Sequence, residues 1–130
     1  MSTLFSKIIK GEIPCYKVAE NDLFLAFLDI NPLVKGHVLV IPKIEVDYFF
    51  DLDDKLLSSM ILFSKEVSSK IKASIPCKKI GLSVIGLEVP HAHMHLVPIN
   101  SANDLNFTRD KLTLSMEEMK EIQHAILLQL

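Results

Sequence analysis

The sequence of residues 91–97 is His-Ala-His-Met-His-Leu-Val, in which three imidazoles alternate with apolar side chains. Successive side chains of a β-strand point to opposite faces, so this spacing predicts three histidines on one face, about 7 Å apart along the strand. The apolar residues between and after them, Ala92, Met94 and Leu96, are predicted to point into the core. The polar face of an ordinary strand more often uses Lys, Glu or Thr.

The clustered imidazoles allow three interpretations. The first is a strand whose polar face happens to use histidine. The second is a metal site, because His-x-His is a common ligand pair on strands and His37 could supply a further ligand. The third is nucleophilic catalysis, in which a neutral imidazole attacks an electrophile while its neighbours orient it or protonate a leaving group. Neighbouring imidazoles disfavour each other's positive charge, which keeps at least one neutral near pH 7.

Length and composition limit the classes of protein. A chain of 130 residues with 49% apolar residues predicts one domain, residues 1–130, with a real core. The 14 Lys and Arg against 16 Asp and Glu leave no basic excess for binding nucleic acid. No apolar run approaches the roughly 20 residues of a membrane span, and the N-terminus lacks a signal peptide, so we expect a cytoplasmic protein. The mean hydropathy of +0.32 is high, and a subunit interface would bury such surface.

Periodicity and chain breakers predict an α+β fold. Apolar residues recur at three- and four-residue steps from Leu52 to Ile71, which predicts a long helix over about 51–73 with Asp51 as its N-cap. Residues 115–118 form a capping box at the start of a C-terminal helix. A short N-terminal helix is predicted over residues 3–10, and strands are predicted over residues 15–20, 23–28, 37–41, 80–85 and 91–97.

The alternating histidines resemble the signature of the histidine triad family. Residues 5–14 look like the N-terminal helix of that family, residues 25–32 like its nucleoside-binding strand and loop, and residues 36–43 like its central strand. These segments keep the family's order, so the resemblance covers residues 4 to about 99. It is strongest to the branch of nucleotide phosphoramidases and dinucleotide polyphosphate hydrolases. It implies a five-stranded antiparallel sheet that continues across a homodimer.

The resemblance also implies roles for four histidines. His93 would attack the α-phosphorus of a nucleotide and form a nucleotidyl-histidine, from which water releases the mononucleotide. His95 would bind the phosphate and assist the leaving group. His91 would orient and support the nucleophile, and His37 would add a polar contact behind it.

A nucleoside pocket is implied next to these histidines. Asp29 would accept hydrogen bonds from the ribose hydroxyls, with Ile30 beside it, and a carboxylate is a good acceptor for a vicinal diol. Apolar and aromatic side chains suit a purine face. Asp29 could instead form the turn before Asn31, and the apolar residues could belong to an ordinary core. The residues that match the base pocket are Leu4, Phe5, Ile8, Ile13, Phe27 and Leu28.

The sequence departs from the family's pattern in two places. Many relatives have a Gly-rich loop with Asn and Gln before the triad, whereas residues 81–90 are shorter, with Leu87 at the Gln position and Glu88 at the position of a Ser. This change removes hydrogen-bond donors and adds an anion, which could face either the site or solvent. Bacterial relatives often have a Cys-x-x-Cys near the N-terminus for zinc. Ser6 lies in that region and Cys15 stands alone, so we expect no metal and no cofactor.

These observations predict a nucleotidyl hydrolase. Its substrates would be purine nucleotide phosphoramidates or phosphoanhydrides, and a covalent nucleotidyl-histidine would form during turnover. The alternative is a nucleotide-binding or regulatory protein with little turnover, because the segment before the triad is altered. A metal-dependent hydrolase is the third hypothesis. The expected partners are the nucleotide and a second copy of the chain.

Overall fold

The computed structural model describes residues 3–129 and has the predicted α+β fold. Its strands are β1 (Lys17–Glu20), β2 (Phe24–Leu28), β3 (Val38–Pro42), β4 (Lys79–Ser83) and β5 (Met94–Ile99). Its helices are α1 (Leu4–Ile9), α2 (Asp54–Ser74) and α3 (Met116–Leu127), with short 3₁₀ turns at Phe49–Asp51 and Ala102–Leu105. The prediction of five strands, one long helix and a helix near each end is confirmed within this range.

The strands form one antiparallel sheet in the order β1-β2-β3-β5-β4. The central strand β3 lies between β2 and β5, and all five of its residues are buried. A strand covered on both faces needs apolar residues at every position, which explains its unbroken Val-Leu-Val-Ile run. The edge strand β4 is only partly buried.

The two faces of the sheet have different partners. Ala26, Val40, Met94 and their alternate neighbours pack with α2 and α3 in the main core. The opposite face has a smaller cluster, in which Leu25, Phe27, Leu39 and Ile41 contact Phe5 of α1. The predicted inward orientation of Ala92, Met94 and Leu96 is confirmed, because all three belong to the main core. The register pairs Leu39 with His95, which places His95 on the smaller cluster's face.

The predicted histidine strand over residues 91–97 is wrong at both ends. Pairing with β3 begins only at Met94, because the Ala92 amide donates at 2.6 Å to the Val46 carbonyl, which lies beyond β3. His91 and His93 therefore precede the strand. Pro98, which follows the predicted end of the strand, lies inside β5. The pairing with β3 extends only to Leu96, so the missing N–H of Pro98 removes no bond there.

The long helix begins later than its pattern predicted. Asp51 belongs to the preceding 3₁₀ turn, and the N-cap is Asp53, whose carboxylate accepts from the Leu56 amide at 2.7 Å. Both aspartates have the chemistry of an N-cap. The turn geometry selects the second, because only Asp53 is extended directly before the first helical residue.

Replacing the N-cap tests this assignment. Asp53→Ala is expected to lower the free energy of unfolding by about 1 kcal/mol, because the Leu56 amide loses its partner. The melting temperature should fall by about 4 °C for a chain of this size. Asp51→Ala is the matched control, and it should cost less than half as much in the same thermal melt. Equal losses for the two variants would contradict the assignment.

Within residues 3–129, no helix combines the length and the apolar character that crossing a membrane requires.

Candidate active site

Four imidazoles meet on the face of the sheet opposite α2. His37 directly precedes β3, His95 lies in β5, and His91 and His93 lie in the segment that leads into β5. All four are buried, with at most 9% of any one exposed. The ring centroids of His93 and His95 are 5.0 Å apart, and those of His37 and His95 are 5.2 Å apart. The folded chain therefore brings together the four histidines that the sequence selected.

A backbone amide determines where His37 and His95 hold their protons. The Leu33 N–H donates to His37 Nδ1 at 3.0 Å, so this nitrogen is an acceptor. The proton of neutral His37 is then on Nε2, which donates to His95 Nδ1 at 3.0 Å. His95 in turn must hold its own proton on Nε2. His95 Nε2, at the end of this series of hydrogen bonds, is therefore an N–H donor.

Backbone carbonyls determine where His91 and His93 hold their protons. His93 Nδ1 lies 2.7 Å from the His91 carbonyl oxygen, which can only accept, so the proton of His93 is on Nδ1. Its Nε2 then has a free lone pair. His91 Nε2 donates to the Pro42 carbonyl at 2.9 Å, and its Nδ1 lies 3.1 Å from the Thr3 hydroxyl. Each ring nitrogen in these contacts has a defined donor or acceptor role.

The electrostatics of the site keep these rings neutral. Burial, with a smaller contribution from the neighbouring His95 imidazole, lowers the pKa of His37 to about 3. Burial and the neighbouring His93 imidazole lower the pKa of His95 to about 4. Burial also lowers the pKa of His93, although its hydrogen bond to the His91 carbonyl opposes the shift. Near pH 7 all three are neutral, as the hydrogen bonds require.

The two reactive nitrogens reach solvent. The Nε2 atoms of His93 and His95 take no part in the hydrogen bonds above, and no buried side-chain nitrogen or oxygen in the described part of the chain lacks a partner. Both atoms are therefore at the surface of the site. A lone pair on His93 and an N–H on His95 are a nucleophile and a hydrogen-bond donor side by side.

Comparison with known proteins identifies the family of the chain. Residues 10–102 match the model of the HIT domain family. The chain belongs to the HIT family. It is similar to a HIT-like protein of Borreliella burgdorferi, with 39% identity over 131 residues that cover 95% of this chain and 94% of that protein. It is 36% identical to the protein named adenosine 5'-monophosphoramidase hnt1 of Schizosaccharomyces pombe, over 97% of this chain and 96% of that one.

Solved HIT structures have the same fold. A Hit-like protein of Bartonella henselae superposes with a TM-score of 0.83 at 27% identity, covering 97% of this chain and 95% of that chain. A zinc-bound histidine triad protein of Mycobacterium smegmatis superposes with a TM-score of 0.80 at 25% identity, covering 97% and 94%.

Two aromatic rings flank the HIT histidines. The Phe5 ring meets His93 edge-on at 5.0 Å, and it also contacts His91 and Phe27. On the other side, the Phe107 ring lies 4.7 Å from His95 and 6.1 Å from His37. Phe107 was not among the predicted site residues, because it lies in an irregular segment with no periodicity to orient it.

Asp29 has the turn-forming role that was one of its two predicted roles, and its second carboxylate oxygen faces the histidines. Its Oδ1 accepts from the Asn31 amide at 2.9 Å, as a turn former does, while its Oδ2 lies 3.7 Å from His37 Nε2. Burial raises the pKa of Asp29, and the Asn31 hydrogen bond partly offsets this. His37 is neutral, so the two do not form an ion pair.

A metal could be held only at the expense of the hydrogen bonds described above. Asp29, His37 and His95 are the one group of three His, Cys, Asp or Glu within residues 3–129 whose ligand atoms lie close enough together for one ion. His37 Nε2 and His95 Nδ1 already bond to each other across 3.0 Å. Ser6, in the region where bacterial relatives have a zinc-binding Cys, donates to Glu45 at 2.6 Å instead.

The predicted base-pocket residues occupy three kinds of position. Phe5 and Phe27 are buried on the histidine face, where Ile8 packs beside them. Ile13 is half-buried, whereas Leu4 and Ile30 are 48% and 66% exposed. The prediction is wrong for the Leu28 side chain, which packs in the main core. Leu28 follows Phe27 in β2, and strand alternation turns it to the opposite face.

The segment before the triad contributes few donors. Ser83 pairs with His95 across β4 and β5, which places it on the histidine face. Leu87 is 89% exposed. Glu88 is also exposed, yet its charge is among the influences that raise the pKa of Asp29. The same charge also acts to raise the pKa of His93, against the lowering caused by burial. Its carboxylate is therefore within electrostatic reach of the site.

Neutral buried histidines predict an acid-labile fold. In the unfolded chain His37 and His95 regain pKa values near 6.5, so below that pH the unfolded state binds more protons and stability falls. Protonation of either histidine in the unfolded chain should lower the free energy of unfolding by about 2 kcal/mol between pH 6.5 and 5.0. Urea unfolding across this range should show a smaller pH slope for His37→Asn, and an unchanged slope for the exposed His124→Asn. An unchanged slope for His37→Asn would contradict the account.

Proposed function

We propose that the protein hydrolyses purine nucleotide phosphoramidates or phosphoanhydrides through a covalent nucleotidyl-histidine. The observation that supports this most directly is the pairing of a free lone pair on His93 Nε2 with an N–H on His95 Nε2. Membership of the HIT family, and the phosphoramidase name of the Schizosaccharomyces pombe relative, support a nucleotide hydrolase in general. The location proposed for it is the cytoplasm, on the sequence grounds given above.

In the first step His93 Nε2 attacks the α-phosphorus, and a phosphorus–nitrogen bond forms. The bond from phosphorus to the leaving amine or phosphate breaks, and the leaving atom accepts a hydrogen bond from the Nε2–H of neutral His95 and takes up a proton from solvent water. His93 becomes positively charged in the intermediate. Its Nδ1–H already donates to the His91 carbonyl at 2.7 Å, and this oriented dipole stabilises the developing charge.

In the second step water replaces His93 on phosphorus. The proton that the attacking water loses returns to solvent, while neutral His95 keeps its Nε2 proton and donates a hydrogen bond to the phosphoryl group. The phosphorus–nitrogen bond breaks, His93 regains its lone pair, and the mononucleotide leaves. The proton taken from solvent in the first step is returned in the second, so the cycle closes without a redox change.

Nucleoside recognition is proposed for the residues beside the nucleophile. Asp29 Oδ2 would accept from the ribose hydroxyls, since Oδ1 is already engaged with the Asn31 amide. Phe5 and Phe27 would hold the base, with exposed Leu4 and Ile30 at the rim.

Hydrolysis of an adenosine phosphoramidate tests the mechanism. The wild-type protein should turn over repeatedly, and His93→Ala should reduce kcat by at least about 10³-fold because the covalent route is lost. His124→Ala is the matched control, since this exposed histidine of α3 lies outside the site. Activity should be the same with and without chelator.

Other outcomes would identify the alternatives. A protein that binds AMP without turnover would be the nucleotide-binding protein, and Glu88→Gln would then show whether the added anion is the cause. Activity abolished by chelator would indicate a metal at Asp29, His37 and His95. Full activity in His93→Ala would contradict the nucleophile.

We further propose that the protein is a homodimer. The edge of β4 that faces away from β5 has no partner strand among residues 3–129. An apolar cavity of about 410 Å³ lies beside it, lined by residues that include Phe50 of the 3₁₀ turn, Ile61 of α2 and Leu82 of β4. These three side chains are 46–70% exposed. A second copy that pairs β4 edge to edge would cover both the strand and the groove.

Light scattering tests the dimer. The wild-type protein should have about twice the chain mass of 14.7 kDa at micromolar concentration. Leu82→Glu should give a monomer, because it places a charge in the proposed interface. Leu127→Glu, at a similarly exposed position of α3, should remain a dimer. A wild-type monomer would contradict the proposal.

A further inference from the structure

A second hydrogen-bonded network reaches the triad from outside the site. The Ser6 hydroxyl donates to Glu45 Oε1 at 2.6 Å, and the Thr3 amide donates to the same oxygen at 3.0 Å. The Thr3 hydroxyl lies 3.1 Å from the Ser6 hydroxyl and 3.1 Å from His91 Nδ1. We name the network of Glu45, Ser6 and Thr3 the Glu45 relay. This relay ends at His91, the first histidine of the triad.

The proton positions in the Glu45 relay follow from its ends. Hydrogen bonds from the Ser6 hydroxyl and the Thr3 amide lower the pKa of Glu45, so its carboxylate is ionised and can only accept. At the other end, His91 Nδ1 accepts, because the proton of this ring is donated from Nε2 to the Pro42 carbonyl. The Thr3 hydroxyl therefore donates to His91, while its oxygen accepts from the Ser6 amide at 3.0 Å. Each hydroxyl has only one proton, so the 3.1 Å approach of the Ser6 and Thr3 hydroxyls is a contact without a shared hydrogen. The network is instead joined by the Thr3 amide, which donates to Glu45, and by the Ser6 amide, which donates to Thr3.

This relay holds the group that orients the nucleophile. The fully buried His91 ring is fixed at one end by Pro42 and at the other by Thr3. The backbone carbonyl of the same residue accepts the Nδ1–H of His93. Rotation or displacement of His91 would therefore misalign the lone pair of His93.

We propose that Glu45 is a positioning residue for the His93 nucleophile and acts through Ser6, Thr3 and His91. This inference rests on the proposed function, because it concerns the same nucleophilic step. Thr3 and Glu45 are 42 residues apart in the sequence, and Thr3 and His91 are 88 apart. The relay therefore joins the start of α1 and the loop after β3 to the triad.

A purely structural role makes a different prediction. Thr3 is the N-cap of α1, and α1 holds Phe5 against Phe27 in the proposed base pocket. If the relay only anchored this helix, its loss would weaken nucleotide binding. If it positions His93, its loss would slow the chemical step and leave ground-state binding unchanged.

The test compares kcat with AMP affinity in four variants of the full chain. Glu45→Gln and Thr3→Val should each lower kcat about fivefold, the effect of losing one hydrogen bond in the network. The dissociation constant of AMP, measured by calorimetry, should stay within twofold. Thr3→Ser retains the hydroxyl and should restore kcat. Asp47→Asn removes a charge from the same loop without touching the relay, and should match the wild type.

Two results would overturn the proposal. One is an unchanged kcat in Glu45→Gln, and the other is a loss of AMP affinity as large as the loss of kcat/KM, which would indicate an anchor for α1.

If the proposed function is wrong, the Glu45 relay can still be tested separately. If the wild-type protein shows no turnover, the ¹⁵N chemical shift of His91 Nδ1 becomes the readout. This shift should change in Glu45→Gln and Thr3→Val and stay constant in Asp47→Asn. A constant shift in Glu45→Gln would overturn the relay independently of activity.

Discussion

The Leu33 backbone amide can only donate a hydrogen bond, and the site depends on this constraint. It makes His37 Nδ1 an acceptor, which turns the His37 proton toward His95 and leaves the outer nitrogen of His95 protonated. On the other side, the His91 carbonyl can only accept, which leaves the outer nitrogen of His93 unprotonated. Two main-chain groups thus give chemically identical side chains opposite roles, nucleophile and hydrogen-bond donor.

The fold supplies the burial that these roles require. Since β3 is central, His37 at its start and His95 in the next strand are both buried, although the Nε2 atom of His95 reaches the surface of the site. Burial disfavours the imidazolium form, so the rings stay neutral and their hydrogen bonds keep one direction. The main core lies on the other face of the sheet, which leaves the histidine face free to contact a substrate. Stability below pH 6.5 and reactivity therefore depend on the same groups.

The local sequence patterns correctly predicted the structural features that depend on residues close together in the chain. The alternation over residues 91–97 predicted the core positions of Ala92 and Met94, although the strand itself starts later. The bond from Ala92 to Val46 that delays it joins distant segments, and no local pattern encodes such a bond. The choice of Asp53 over Asp51 also depended on turn geometry. Phe107, Thr3 and Glu45 were missed for the same reason, since only the folded chain brings them to the histidines.

The most direct test of this account is the ¹⁵N NMR spectrum of the imidazoles in the unliganded protein at pH 7. The proton positions are the central claim, and long-range ¹H–¹⁵N correlations distinguish the two neutral forms and the cation. We expect His93 to be protonated on Nδ1, and His37, His91 and His95 to be protonated on Nε2. A His93 protonated on Nε2, or a cationic His93 or His95, would contradict it.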